Sequence, residues 1–221
     1  MAAPAIAPRP SPILRWAGLG AIVYVGLFIV GLVLIDHGRP DADAAPSTVI
    51  PYYQDAGHRD RIGLGFVLVL IGVFFLIWFV AALRELVSRY SGDGMLAAVT
   101  AIGGAVYAAL TLVSVALQSA IYTMSDDTYR HGVYPELIHA ANDSGYVLHS
   151  AGGVGVGAMI VATSLAVLGA RAIPAWLGWL SLVAGVVSIF AVFFFPWIVI
   201  AVWLLVAGVL VTRASAAATT A

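Results

Sequence analysis

The chain has no cysteine and no lysine; all ten of its cations are arginines. Without cysteine there is no disulfide, no thiolate zinc site, no iron–sulfur cluster and no cysteine nucleophile. Without lysine there is no Schiff-base chemistry. Charge of either sign is scarce: 10% of residues are charged, where a soluble globular chain carries about a quarter. A formal net charge of −1 gives no electrostatic footprint for nucleic acid.

What is abundant is apolar: 62% of the residues are hydrophobic. Uncharged stretches of about 20 residues cross the hydrocarbon core as helices. The composition therefore predicts an all-α, polytopic membrane protein whose first partner is the lipid bilayer. Five apolar segments are clear: 16–35, 62–83, 95–121, 145–170 and the start of a run from Ala175 to Thr212. That run of 38 residues would make a rod of roughly 57 Å at about 1.5 Å per residue, nearly twice the core. It must turn, and Pro196 is the natural breaker. The run is therefore read as helices at 175–195 and 197–212, giving a bundle of six spans within residues 16–212. Residues 1–15, rich in Pro and Ala, are expected to be a disordered tail, and 213–221 a low-complexity tail. The first segment's apolar core of about 20 residues exceeds the 7–15 of a cleavable signal peptide.

Orientation follows from the arginines. With the N-terminus inside, Arg9, Arg15, Arg84, Arg89, Arg171 and Arg213 are internal, and Arg39, Arg59, Arg61 and Arg130 are external. Nine of the eleven acids and all five histidines (His37, His58, His131, His139, His149) then fall on or just beneath the outer side. The expected topology is N-in, C-in. No Asp, Glu or Arg lies in the core of any predicted span, where a proton- or ion-coupled transporter or voltage sensor normally places one.

Chemistry-bearing residues concentrate in one stretch, Tyr134 to Gly153. Glu136 and His139 are spaced i, i+3 and share a helical face, which Asp143 continues. With His149 they form a candidate divalent-metal site, with His37, His58 or His131 as further ligands. The bland alternative is the solvated face of an amphipathic lead-in. A buried di-iron site needs carboxylates from other helices, and the predicted cores have none. His149, read as about five residues into the fourth span, is also a candidate ligand-binding residue. Gln118 near the end of the third span is placed at similar depth, so that a Gln118–His149 hydrogen bond becomes a packing alternative. Haem would need a second histidine at like depth, and only His37 comes near. Ser144 and Ser150 lack a nucleophile elbow. Gly152, Gly153, Gly155 and Gly157 have no preceding strand to make a phosphate loop. Gly153-x-x-x-Gly157, with Gly103, Gly104 and Ala108 on the third span, instead fits close helix approach.

Two stretches carry a resemblance. FFLIWFVAALRELV (Phe74 to Val87) closes the second span, and RAIPAWLGWLSLVAGVV (Arg171 to Val187) opens the fifth. The Arg-x-x-Pro-x-Trp-Leu-Gly-Trp pattern resembles small bacterial six-helix membrane proteins grouped as a domain of unknown function, family 4386 type. The resemblance implies the six-helix layout and a bacterial cytoplasmic membrane, and brings no catalytic residues.

The expectation is a non-enzymatic membrane component: an accessory subunit of other membrane proteins, or a binder of a small or lipidic ligand through His149 and Gln118. The alternative is a membrane enzyme or sensor with a divalent metal ion on Glu136, His139, Asp143 and His149.

Overall fold

The computed structural model describes residues 12–41, 43–92, 94–124 and 133–217. The expected tail through residue 11, the loop containing Asp126, Asp127, Arg130 and His131, and residues 218–221 lie outside the described residues.

Seven α-helices and one 3-10 turn are described: α1 Pro12–Asp36, α2 Pro46–Gln54, α3 Ala56–Ser91, α4 Gly94–Met124, α5 Pro135–Gly169, α6 Ala175–Ser188, the 3-10 turn Ala191–Phe193, and α7 Phe195–Ala217. Five of them (α1, α3, α4, α5, α7) are long and apolar enough to cross a membrane. At 14 residues, α6 spans roughly 21 Å, short of the ~30 Å hydrocarbon core.

The helices run past the expected bounds. α1 begins at Pro12 and α7 continues to Ala217, so both expected tails are partly helical. α3 and α5 have 36 and 35 residues and project beyond any single bilayer crossing. α2 was not expected. Its helix starts on Pro46, where a missing N–H costs nothing, and carries Pro51 inside. The last apolar run turns earlier than expected, over 189–194, and Phe194 takes a left-handed φ of 62°. Pro196 does not end a helix here; it is the second residue of α7. A proline in the first turn removes only an N–H that the helix leaves unpaired anyway.

The long helices form a closed ring, each packed on the next in the order α1, α3, α4, α5, α6, α7, with α7 returning to α1. In lipid the hydrophobic effect does not drive helices together; close backbone approach does. Three glycine crossings supply it. A Cβ on Gly103 would lie 2.5 Å from the Gly155 carbonyl oxygen, and one on Gly155 2.7 Å from that of Gly103. Gly31 and Gly65 meet likewise between α1 and α3, and Gly157 and Gly185 between α5 and α6. Gly153 sits directly on the Ser188 carbonyl. The glycine-rich opening of the fourth span is thus a packing surface. Hydroxyls add cross-links: Ser164 and Ser181 share a hydrogen bond of 2.7 Å between α5 and α6, and Trp203 on α7 donates to Ser181 at 2.7 Å.

Candidate functional site: a cavity beneath α2

At the end of the ring that carries α2, the helices part around a cavity of about 470 Å³. Its walls come from α1, α4, α5 and α7, and Val49 and Tyr53 of α2 contribute to its outer end. α2 is held there by Val49, Tyr52, Tyr53, Ile62 and Ile138, which form a small apolar cluster of their own. Polar contacts fasten the same layer. Arg61 and Tyr52 both donate to the His37 carbonyl, at 2.5 and 3.0 Å, just beyond the C-terminal end of α1. A cation at that end satisfies an orphan carbonyl and meets the negative pole of the helix. His58 stacks on Tyr52 at 4.2 Å between ring centroids, and its Nδ1 lies 3.0 Å from the Tyr52 carbonyl. Burial raises the pKa of the Tyr53 phenol above its usual value, and hydrogen bonding from Asn142 and the Arg39 charge only partly offset this.

The cavity is graded from end to end. Near α2 its wall holds Asp36, Arg39, His139, Asn142 and Asp143. Asp36 and Arg39 are paired at 2.9 Å. Further in, the wall is built of rings. His149 stacks on Trp197 with centroids 4.0 Å apart and 16° between planes, and on Phe28 at 5.3 Å and 24°. Tyr107 approaches His149 at 6.1 Å. The Tyr24 and Tyr107 hydroxyls share a buried hydrogen bond of 2.8 Å. Thr111 is the polar neighbour of His149, with Oγ1 3.5 Å from Nδ1. The other ring nitrogen, Nε2, is buried and meets no hydrogen-bond partner among the described residues.

Four of the five residues singled out from the sequence line this one cavity: Gln118, His139, Asp143 and His149. Glu136 does not; it is exposed in the first turn of α5, on the same face but beyond the cavity wall. His139, Asn142, Tyr146 and His149 are spaced by three or four residues, which is one stripe of α5 turned to the cavity. Among the described residues no group of three or more His, Asp and Glu is gathered closely enough to hold a metal ion.

The expected Gln118–His149 hydrogen bond is not formed. Gln118 donates to Ser114 at 3.0 Å, and its side chain lies against Gly145, where an added Cβ would meet Cγ at 2.6 Å. The Gln118 side chain therefore reaches Gly145, while His149 lies beside Thr111, about two helical turns along α4 from Gln118. The reason is the start of the helix. α5 begins at Pro135 rather than near Gly145, so His149 lies 14 residues, or roughly 21 Å, from its N-terminus.

Tyr24, Phe28, Tyr107, Thr111 and Trp197 were not among the sequence candidates. One signal for them exists in α4. Tyr107, Thr111, Ser114 and Gln118 recur at helical spacing through an apolar span, a polar stripe that has to face inward. Comparison with protein-family models, curated proteins and solved structures finds no match.

Proposed function

We propose that the protein is a multi-pass protein of a bacterial cytoplasmic membrane that binds a small lipidic ligand in the cavity beneath α2. The observation that carries this reading is the cavity itself. Its volume, about 470 Å³, falls in the range of small-molecule sites, roughly 300–1,000 Å³. It is lined mainly by apolar and aromatic side chains, with a few convergent polar groups, which is how such sites fix orientation. An accessory role beside other membrane subunits is compatible with this reading, the ligand serving as a structural or sensed component.

In this reading there are six spans. α6 and the following 3-10 turn together make the fifth, since residues 175–193 carry no charge and are mostly apolar. The N- and C-termini then both lie inside, and α2 caps the cavity from the outer side. This layout agrees with the resemblance to family 4386 type proteins.

The test is direct. Protein purified in mild detergent is extracted and the co-purifying lipids are compared with those of Ala201→Trp, which fills the cavity from α7. One species enriched over bulk lipid, and lowered about tenfold in the variant, is expected. A lipid profile identical to the membrane's in both proteins would remove the basis of the proposal.

A further inference from the structure

We propose that the ligand is a neutral lipid with a flat, carbonyl-bearing ring head, the chemistry of the membrane quinones, and that it enters sideways from the bilayer. This inference rests on the reading of the cavity as a lipid site.

The first argument is charge. Asp36, Arg39, His139 and Asp143 all sit at the α2 end of the wall, and no Asp, Glu or Arg lines the inner part. A carboxylate or phosphate head drawn inward would be desolvated with no opposite charge to meet it. Asp36 and Arg39 are moreover occupied with each other at 2.9 Å. A neutral head avoids that cost.

Shape and hydrogen bonding come next. The inner wall is made of the rings of Tyr24, Phe28, Tyr107, His149 and Trp197. Aromatic surfaces favour a planar guest, through offset stacking and edge contacts. The polar groups set among these rings are able to donate. Tyr24, Tyr107 and Thr111 carry hydroxyls, and when Thr111 donates to Nδ1 of His149 the imidazole proton resides on Nε2, the nitrogen with no partner among the described residues. A buried unpaired donor costs about 1–3 kcal/mol, and a carbonyl oxygen on the guest relieves it.

The route follows from exposure. Ile29, Tyr146, Phe194 and Ile198 line the cavity, yet they are 52%, 42%, 67% and 60% exposed. They are apolar or aromatic and lie on three different helices or their tips. The backbones of α5 and α7 do not pack along one another; the stacked rings of His149 and Trp197 bridge them. The cavity therefore opens between α1, α7 and α5 onto the surface that faces lipid. A head group occupies the interior, and its tail extends through this opening into the acyl chains.

The experiment uses the full-length protein in phosphatidylcholine nanodiscs, titrated with a decyl-tailed benzoquinone while tryptophan fluorescence is followed. Trp197 is in ring contact with His149, so quinone in the inner cavity quenches it. The expected result is saturable quenching that Trp197→Phe removes. His149→Leu weakens the apparent affinity about tenfold, His149→Gln keeps most of it by retaining a donor, and Glu136→Gln leaves it unchanged. Palmitate does not compete. If palmitate competes as well as the quinone, the neutral ring head is wrong while the cavity remains a lipid site. If neither compound alters Trp197 fluorescence and no lipid is enriched on purification, both proposals fall. Should His149→Leu not fold, the His149→Gln and Trp197→Phe pair still decides: quenching unchanged by Trp197→Phe overturns the inference.

Discussion

Tyr24 on α1 and Tyr107 on α4 join hydroxyl to hydroxyl at 2.8 Å, although α1 and α4 are not neighbours in the ring. Both rings are almost completely buried, at 1% and 2% exposure, and stand edge to face. The bond crosses the inside of the bundle at the floor of the cavity. Removing one partner leaves the other hydroxyl with Thr111 as its remaining polar neighbour. Tyr107→Phe is expected to destabilise the protein by about 0.6–2 kcal/mol, and Tyr24→Phe by a similar amount. The double variant should cost less than the sum, because each single change already removes the one bond the two hydroxyls share. Unfolding in mixed micelles measures all three, and simple additivity would show that the pair is not coupled.

The glycine crossings make a sharper prediction, because the chain supplies its own control. Gly155→Ala puts a methyl group 2.7 Å from the Gly103 carbonyl oxygen, backbone against backbone, where nothing can yield. Overpacking of this kind costs about 1–3 kcal/mol. Gly26→Ala meets nothing within 4 Å and should leave stability unchanged or raise it. A melting temperature lowered equally by both would mean that the α4–α5 contact is looser than described.

Topology can be read by labelling, since the cysteine-free chain needs no background removed. Asp43→Cys lies beside α2, and Tyr90→Cys lies at the far end of α3. With the N-terminus inside, a membrane-impermeant maleimide applied to intact cells should label the first and not the second. The reverse pattern would invert the proposed orientation and turn the cavity toward the cytoplasm.

A metal-dependent reading is also open to measurement. His139 and Asp143 line the cavity and Glu136 lies beyond its wall, and among the described residues the three are not gathered closely enough to hold a metal ion. Protein purified without chelator is expected to carry far less than one divalent metal ion per chain by elemental mass spectrometry. Stoichiometric metal that disappears in His139→Ala would reinstate a metal centre at the cavity mouth.

Much of the architecture was legible because lipid imposes a length on apolar sequence. The glycines were readable for a similar reason: small residues at i, i+4 in a span have few uses besides close packing. The α2 helix was not, since PSTVIPYYQ carries two prolines and its fold depends on burying Val49, Tyr52 and Tyr53 against Ile62 and Ile138. Register failed as well. The acid–histidine lead-in and the glycine-rich span form one unbroken helix, and polarity alone suggested a boundary between them. His149 was recognisable as the embedded titratable side chain, but its neighbours Phe28 and Trp197 come from the first and last helices. No local pattern announces contacts that depend on closing the ring.

The continuity of α5 has a mechanical side. From Pro135 to Gly169 the helix has no break, so its projecting segment, with Glu136 and Asp143 exposed, moves as one rod with His149 and the glycines clamped against α4 and α6. The exposed end and the cavity wall at His149 are thus two parts of one helix, held by the same glycine crossings. A contact made on that exposed end is therefore made on the very helix that carries His149, with no other helix in between.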